Sequence, residues 1–152
     1  MRILGIDPGP YDSAYVIWDG THLLEHGFLS NVLLQQRLSG NGYDEVAIEW
    51  ITCYGKVVGK DVFRTCAEIG RFDHERTAQL IERREIRLHL CDTARAGDPQ
   101  VRRALLDRFG EQGTKKNPGV LYGIKGHEWS ALAVAVVEYE KAREKEREMG
   151  AK

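Results

Sequence analysis

Two acidic residues each close an apolar segment that has the composition of a buried strand. Asp7 follows the apolar residues 3–6, and Glu49 follows the apolar residues 46–48. A carboxylate at the end of a buried strand is costly unless a neighbouring group compensates its charge, and two such groups side by side repel each other. Divalent cations bind carboxylate oxygens. The pair therefore predicts a metal-dependent enzyme.

A third ligand is expected at the start of the last predicted helix, which opens with Gly126, His127 and Glu128. Side chains in the first turn of that helix can point at the carboxyl ends of the strands. His127 is the favoured ligand, suited to bind a metal through a neutral imidazole or to take a proton from an attacking water, although from spacing alone a capping or surface histidine is the better explanation. Glu128 also suits a metal, and the helix macrodipole explains it equally.

The elements that must position these residues follow from the hydrophobic pattern. Strands are predicted at residues 2–7, 13–18, 22–29, 45–50 and 85–91, and helices at 31–38, 60–83, 98–109 and from 127 onward. This order is typical of an α/β fold with a mixed five-stranded sheet flanked by helices. If the first and fourth strands are parallel neighbours, Asp7 and Glu49 finish side by side. Asp19-Gly20 predicts a hairpin, and Gly70 inside a helix predicts the close approach of another backbone.

Length and composition favour one domain. The 152 residues are 42% hydrophobic, which allows one buried core and not two large lobes. A single domain is expected over residues 1–152, with a charged helical tail at about 140–152 that frays. The net charge of −1 leaves the question of a polyanionic partner to local charge.

Targeting signals and cysteine motifs are missing from the sequence. No apolar run has the length of a membrane span, and the N-terminus begins with a strand rather than a signal peptide. We therefore expect a cytoplasmic protein with no membrane partner. Cys53, Cys66 and Cys91 show no C-x-x-C spacing, so each is expected to be a small core residue rather than part of a disulfide or zinc site.

Three segments, taken in order, resemble the motifs of RuvC-type Holliday junction resolvases, which belong to the ribonuclease H-like superfamily. They are Ile-Leu-Gly-Ile-Asp-Pro-Gly at residues 3–9, Ala-Ile-Glu at 47–49 and Gly-His-Glu-Trp-Ser-Ala-Leu-Ala-Val-Ala at 126–135. Residues 93–105 resemble the segment that precedes the last helices of the family. The likeness covers nearly the whole chain and is closest to the short RuvC-like proteins of phages and prophages.

The resemblance implies a site and a reaction, the resolution of Holliday junctions by paired phosphodiester hydrolysis. It makes Asp7, Glu49 and His127 catalytic residues and metal ligands, with Mg²⁺ or Mn²⁺ as the cofactor. Two ions would take part, one activating water and the other stabilising the leaving oxygen. Ser130 stands where RuvC proteins usually have an aspartate ligand. One metal position is therefore expected to be weaker, or to be completed by Glu128 or water.

The substrate that the resemblance implies is a four-way or branched DNA. The candidates for phosphate contact come from a locally basic part of the chain and are Arg95, Arg102, Lys115, Lys116 and Lys125. A solvated helix face and an exposed loop explain the same charges when the neighbouring site is left aside. Tyr54 is expected to stack on an unpaired base, as is Trp50 unless it packs in the core. Asp98 stands where RuvC proteins carry a lysine, and is expected to cap a helix instead.

A homodimer is implied as well. RuvC-type proteins dimerise through the helix that corresponds to the one around Gly70, and a two-fold dimer would present two metal sites to a two-fold junction. The same helix could equally pack within the monomer.

Three other interpretations stay open. A ribonuclease H-like nuclease that acts on flaps, forks or RNA–DNA hybrids would keep all the metal residues. A catalytically weakened junction-binding protein is the interpretation that Ser130 favours. The Asp-Pro-Gly turn also resembles the phosphate loop of actin-like ATPases and sugar kinases. Those proteins enclose a nucleotide between two lobes, and 152 residues supply one, so no nucleotide cofactor is expected.

Overall fold

The computed structural model describes residues 1–151. Its strands are β1 (Ile3–Asp7), β2 (Asp12–Trp18), β3 (Leu23–Ser30), β4 (Glu45–Trp50) and β5 (Ala78–Glu82). Its helices are α1 (Asn31–Leu38), α2 (Lys60–Glu75), α3 (Arg83–Cys91), α4 (Asp98–Phe109) and α5 (Glu128–Gly150). The predicted α1, β4 and α4 have the observed bounds, because each combines a clear hydrophobic period with a breaking or capping residue at its ends.

Within residues 1–151 the strands form one five-stranded sheet in the order β3-β2-β1-β4-β5. β1, β2 and β3 are joined as antiparallel neighbours, whereas β1, β4 and β5 run parallel. Parallel neighbours need a crossover connection, and α1 and α2 lie in the two connections that lead to β4 and β5. The predicted α/β fold with a mixed five-stranded sheet flanked by helices is confirmed.

The sheet separates two apolar layers. Along β1 the side chains alternate, so that Ile3 packs with α5 on one face, whereas Leu4 and Ile6 pack with α1 and α2 on the other. Asp7 follows Ile3 in this alternation and belongs to the α5 face. Glu49 stands two residues after Ala47, another member of the α5 layer. The strand period therefore puts both carboxylates on the same face.

Helix α5 lies directly on β1 because Gly5 has no side chain. A Cβ at Gly5 would lie 2.3 Å from the carbonyl oxygen of Ala131 and 2.7 Å from the Cβ of Ala135. Protein interiors are too closely packed to absorb contacts of this kind without a shift of the helix. Gly5 and the two alanines therefore set the depth of α5 on the sheet, and with it the position of His127 just before the helix.

The fifth strand lies earlier in the chain than predicted. Residues 85–91 form α3, and the strand that pairs with β4 is Ala78–Glu82. The predicted strand at 85–91 was wrong because Ile86 and Leu90 are the buried positions, while Leu88 is 54% exposed. Buried residues that stand four apart indicate a helix. The predicted helix over 60–83 is likewise too long, since α2 ends at Glu75.

Two local predictions have opposite outcomes. The hairpin at Asp19-Gly20 is confirmed, with Asp19 Oδ1 accepting hydrogen bonds from the N–H groups of Thr21 (2.8 Å) and His22 (2.6 Å). The φ angle of Gly20 is 98°, which suits glycine. The close backbone approach expected at Gly70 is not made by any described element of this chain, because a Cβ there would meet no heavy atom within 4 Å. Gly70 lies instead on the exposed face of α2.

The cysteines lie at or near the surface, and the C-terminal tail is helical. Cys53 is exposed and Cys66 and Cys91 are half-buried, so the prediction of core cysteines was wrong. α5 runs as a helix to Gly150, with every side chain exposed from Arg143 onward. Lys152, the end of the predicted tail, lies outside the described residues. No helix in residues 1–151 is both long and apolar enough to span a bilayer.

Candidate active site

Asp7 and Glu49 lie side by side at one edge of the sheet. β1 and β4 are parallel with Ile6 opposite Ile48, so the residues that come next along each strand are neighbours. Asp7 is 9% exposed and Glu49 is 8% exposed, and both line one cleft, which we call the carboxylate cleft. Two acids removed from water at adjacent positions need positive charge close by.

The turn after Asp7 is held by a buried hydrogen-bond network. The Gly9 N–H donates to the Ser13 hydroxyl (3.1 Å), and this hydroxyl donates to Asn31 Oδ1 (2.6 Å). The Asn31 side-chain amide donates to the Gly9 carbonyl (2.9 Å). A Cβ at Gly9 would lie 2.3 Å from the Asp12 carbonyl oxygen, so the turn requires glycine. This network fixes the backbone that carries the Asp7 carboxylate.

His127 is the partner of Asp7. Its Nδ1 lies 3.0 Å from Asp7 Oδ2, and its side chain is 74% exposed. Phe28 of β3 stacks on the imidazole, with ring centroids 6.1 Å apart and an interplanar angle of 18°. When Nδ1 donates to Asp7, the neutral imidazole has Nε2 as its basic nitrogen. His127 thus presents a basic nitrogen at the mouth of the carboxylate cleft.

Arg83 is the partner of Glu49. Its Nε donates to Glu49 Oε1 at 2.6 Å, and its side chain is 46% exposed. Arg83 begins α3 directly after β5, whose parallel pairing with β4 sets Glu82 beside Trp50. The guanidinium therefore reaches Glu49 from the end of the next strand in the sheet.

The charges of the cleft change the pKa values of its acids. Burial is the largest influence and raises the pKa of both Asp7 and Glu49. His127 and Arg83 oppose this effect at Asp7, and at Glu49 Arg83 lowers the pKa while Asp7 raises it. Burial lowers the pKa of Arg83, but its contact with Glu49 outweighs burial and the pKa is raised. The guanidinium therefore stays charged.

The rim of the carboxylate cleft carries groups that the sequence did not single out. Asp12 and Asp61 add two exposed acids, and Tyr11 and Phe28 add aromatic surface. The Tyr11 ring is itself held by the Arg64 guanidinium, which lies 4.8 Å from the ring centroid. The cleft thus combines an acidic floor and rim with an aromatic wall.

Glu128 is engaged away from this cleft. It is 4% exposed, and one oxygen accepts a hydrogen bond from the Lys125 backbone N–H at 2.9 Å. The other oxygen lies 3.2 Å from His26 Nδ1. The structure therefore does not bring Glu128 together with Asp7 and Glu49, because one of its oxygens bonds the turn that leads into α5 and the other lies against His26 of β3.

Ser130 lines a neighbouring cleft. That cleft also contains His127, Asp98 and Arg102. The Arg102 guanidinium lies over the Trp129 ring, 4.7 Å from its centroid. Asp98 begins α4 as expected of a residue at a helix start, but the N-cap itself is Gly97.

A basic groove adjoins the carboxylate cleft on the Glu49 side. Its basic side chains are Lys56, Arg84, Arg87 and Arg95, and Glu49, Arg83 and Tyr54 also line it. The Tyr54 ring is exposed, and its hydroxyl donates to Glu82 at 2.8 Å. The structure therefore brings the predicted Arg95 and Tyr54 together beside the carboxylates, along with four basic residues that were not predicted, Lys56, Arg83, Arg84 and Arg87.

The other predicted nucleic-acid contacts lie outside these three clefts or at their edge. Lys115, Lys116 and Lys125 are exposed on the connection between α4 and α5. Trp50 is partly buried and packs against the α1 and α2 layer. It also lines the basic groove beside Tyr54, so it both packs on the core and borders the groove.

The carboxylate cleft fits a divalent cation that takes part of its coordination from water and substrate. Within residues 1–151 no three His, Cys, Asp or Glu side chains converge into a complete metal site. Asp7 and Glu49 offer carboxylate oxygens, and His127 offers an imidazole. Mg²⁺ commonly binds proteins through one or two carboxylates while waters and substrate phosphates fill the other positions. The donor set suits Mg²⁺ or Mn²⁺ on these terms.

Comparison with solved structures assigns the fold. Thermus thermophilus RuvC superposes with a TM-score of 0.69 at 16% identity, over 95% of this chain and 97% of that chain. The chain has the RuvC fold. T. thermophilus RuvC in complex with Holliday junction substrate gives a TM-score of 0.70 at 15% identity, over 95% and 96% of the two chains. No protein-family model and no curated protein matches the sequence. The likeness to RuvC is thus one of fold.

Arg83 is the main site residue that sequence analysis missed. It is absent from the predicted set because residues 60–83 were assigned to one helix. A strand at residues 78–82 would have put Arg83 at the carboxyl end of a strand parallel to β4, at the same sheet edge as Glu49. Only Ile81 of this edge strand is buried, so the apolar alternation that reveals a strand is missing.

Proposed function

We propose that this protein is a metal-dependent endodeoxyribonuclease that resolves four-way DNA junctions in the cytoplasm of a bacterium or a phage-infected cell. The proposal rests on the pairing of Asp7 and Glu49 as buried carboxylates at adjacent strand ends of a RuvC fold. Carboxylates on a rigid sheet edge are suited to hold Mg²⁺ or Mn²⁺ beside a phosphate. A junction substrate is consistent with the second superposed structure, in which T. thermophilus RuvC is in complex with Holliday junction substrate.

The side chains of the cleft would divide the chemistry between them. Asp7 and Glu49 would hold the cation, which when bound activates water and stabilises charge on the phosphate oxygens. His127 keeps Nε2 as its basic nitrogen and can accept a proton from the attacking water. The Asp7 carboxylate at Nδ1 orients the imidazole and fixes its tautomer. Phe28 limits ring rotation by stacking.

The basic groove would hold a DNA strand next to the cleft. Lys and Arg side chains neutralise phosphates, and Tyr54 supplies an exposed ring for base stacking at about 1–3 kcal/mol per base. Arg102 and Lys125 would contact DNA from the α5 side, and Lys115 and Lys116 from the exposed loop. The groove and the α5 side flank the two carboxylates, as a substrate that crosses the cleft requires.

We further propose that a second copy of the chain packs on the outer face of α2. Phe63 is 66% exposed on this helix, and Ala67 and Gly70 lie at helical spacing from it. An apolar anchor beside small residues allows two helices to approach closely in a two-fold pair. Sedimentation should give a dimer, and Phe63→Glu should give a monomer with unchanged circular dichroism. A monomeric parent would contradict this arrangement.

Cleavage of defined substrates tests the function. A four-way junction, a flap, a fork and an RNA–DNA hybrid of shared sequence are incubated with the protein and Mg²⁺ or Mn²⁺. We expect symmetric paired nicks in the junction, with Asp7→Asn as the inactive control. Cleavage confined to the flap, fork or hybrid would reject junction resolution and identify the other ribonuclease H-like activity.

A junction-binding protein with weak or no cleavage is the second candidate. It is favoured by Ser130 and by the absence of a complete three-ligand set within residues 1–151. The same assay separates the two, because this candidate predicts a gel shift on the junction without nicks in either metal ion.

A further inference from the structure

The two buried carboxylates have different compensating groups. Asp7 is in hydrogen-bond contact with the His127 imidazole at 3.0 Å, a group without a permanent charge. Glu49 faces the Arg83 guanidinium at 2.6 Å, which is charged at every pH at which the protein is folded. One of the two acids therefore already has a full positive charge in hydrogen-bond contact.

A second divalent ion at Glu49 would have to compete with this contact. Charge-assisted hydrogen bonds from arginine to carboxylate are among the strong ones, and a second cation near the guanidinium would meet like-charge repulsion. Asp12 and Asp61 lie on the rim of the cleft, but no three acidic, histidine or cysteine side chains of residues 1–151 converge on one point. Ser130 offers only a hydroxyl, and Glu128 faces the Lys125 N–H and His26.

We propose that the Arg83 guanidinium serves as a built-in cation at Glu49 Oε1, so that the site takes one divalent ion, held by Asp7 and the remaining oxygen of Glu49, rather than two. This inference rests on the proposed nuclease function and specifies how many divalent ions that site binds. Arg83 acts through Glu49 and is a positioning residue. In this arrangement it also stabilises the metal-free fold, because it compensates a buried acid that would otherwise be unpaired.

Metal binding without DNA tests the inference. Mn²⁺ is titrated into the metal-free protein by calorimetry, and bound ions are counted independently by electron paramagnetic resonance. We expect one Mn²⁺ per chain for the parent. Arg83→Met should bind a second Mn²⁺, or bind one ion about tenfold or more tightly, because a positive charge has left the site. Two ions on the parent, or an Arg83→Met variant that matches the parent in count and affinity, would overturn the inference.

Arg84→Met is the matched control. It removes the same charge one residue along α3 without contact to either carboxylate, so its Mn²⁺ count and affinity should match those of the parent. An equal gain from Arg84→Met would mean that general charge, and not the contact with Glu49, sets metal binding, and this result would also overturn the inference.

The fold of Arg83→Met needs a separate measurement. Thermal unfolding in EDTA should occur at a lower temperature than for the parent, and Mn²⁺ should raise the melting temperature of Arg83→Met more than that of the parent. If Arg83→Met does not fold under either condition, Arg83→Lys takes its place. Lysine holds the charge without the planar fork, so Mn²⁺ should bind this variant with the count and affinity of the parent, and a second or much tighter ion would contradict the inference.

This test is independent of the nuclease assay. A protein that binds one Mn²⁺ through these residues but leaves junctions uncut would support the built-in cation and reject the proposed function. A protein that resolves junctions with two bound ions would do the reverse.

Discussion

The two halves of the carboxylate cleft start from the same sequence pattern and are completed differently. In the Asp7 half, a central strand is followed by a tight turn, and a histidine from the start of α5 covers the acid. In the Glu49 half, the next strand ends beside β5, and an arginine from the start of α3 covers the acid. Burial is nearly equal, at 9% and 8% exposure. The difference lies only in the compensating group.

The compensating group decides which half is open to a ligand. The imidazole can give up its hydrogen bond to Asp7 or keep a basic nitrogen in solvent, so the Asp7 half can exchange partners at little cost. The guanidinium cannot lose its charge, so the Glu49 half is already compensated in the metal-free protein. We therefore expect substitutions in the Asp7 half to affect the chemistry most and those in the Glu49 half to affect stability most.

Asp7→Asn should have the largest effect on activity. The amide keeps the shape of the side chain and loses the charge that holds a cation, so junction cleavage should fall about 1,000-fold or more. Junction binding should remain, because the basic groove is untouched. Single-turnover cleavage and a gel shift measure the two quantities. A variant that cuts as fast as the parent would refute the site assignment.

His127→Ala should have the next largest effect. Loss of a general base typically lowers the rate about 100-fold or more, while Asp7 retains its charge. Single-turnover cleavage over a pH series is the measurement, and His127→Gln serves as the control that keeps a hydrogen bond to Asp7 without a basic nitrogen. If His127→Gln is as active as the parent, the imidazole does not act as the base.

Gly5→Ala should disturb the Asp7 half of the cleft by weakening the packing of α5 on β1. The added Cβ meets backbone and side-chain atoms of α5, and overpacking of this kind costs about 1–3 kcal/mol. The melting temperature should fall by about 2–4 °C for each kcal/mol lost. Gly150→Ala is the matched control, because it is exposed near the end of α5 and its Cβ meets nothing, so its melting temperature should not fall. Equal losses for both variants would contradict this account of α5 docking.

The pH dependence of the metal-free fold gives the smallest effect. Burial raises the folded-state pKa of Asp7 above its ordinary value of 3.8, so the folded state holds this proton more tightly than the unfolded state does. The contribution is favourable below the unfolded pKa and is lost as pH rises through the folded pKa. In EDTA at pH 7 the buried Asp7 carboxylate is charged, and Asp7→Asn removes the free-energy cost of burying that charge. The melting temperature should therefore rise by about 2–4 °C for each kcal/mol of this cost.

Glu49→Gln is the contrasting variant in the same experiment. Burial raises the pKa of Glu49 as well, but glutamine removes the acceptor charge of a partly buried guanidinium. The loss of the ion pair should cancel the gain from neutralisation, so its melting temperature in EDTA should stay at or below that of the parent. A rise equal to that of Asp7→Asn would remove the distinction between the two halves.

The two carboxylates of the site could be predicted from the sequence because strand geometry is periodic. Side chains alternate along a strand, and parallel neighbours end at one edge. An acid at the end of each of two apolar runs is therefore enough to bring Asp7 and Glu49 together. The same reasoning failed at Arg83 because β5 is an edge strand with mostly exposed residues. Without apolar alternation, its boundary with α2 and α3 is not visible in the sequence.

The start of α5 marks a second limit. His127 and Glu128 are adjacent and chemically similar as ligands, and only the phase of the helix decides which one reaches Asp7. That phase depends on packing across the sheet, including the contact of Glu128 with His26 on β3. Contacts between residues so distant along the chain are not encoded in local spacing, so sequence analysis retained both residues.

The absence of a side chain at Gly5 also constrains how such a chain can change over generations. A larger residue at this position would lift α5, and the imidazole would rise with it away from Asp7. A smaller residue at position 131 or 135 would not restore the fit, because the nearest atom is the backbone carbonyl oxygen of Ala131, which every residue has. The spacing of the site therefore depends on three small residues that take no part in the chemistry, and related chains should keep these positions small.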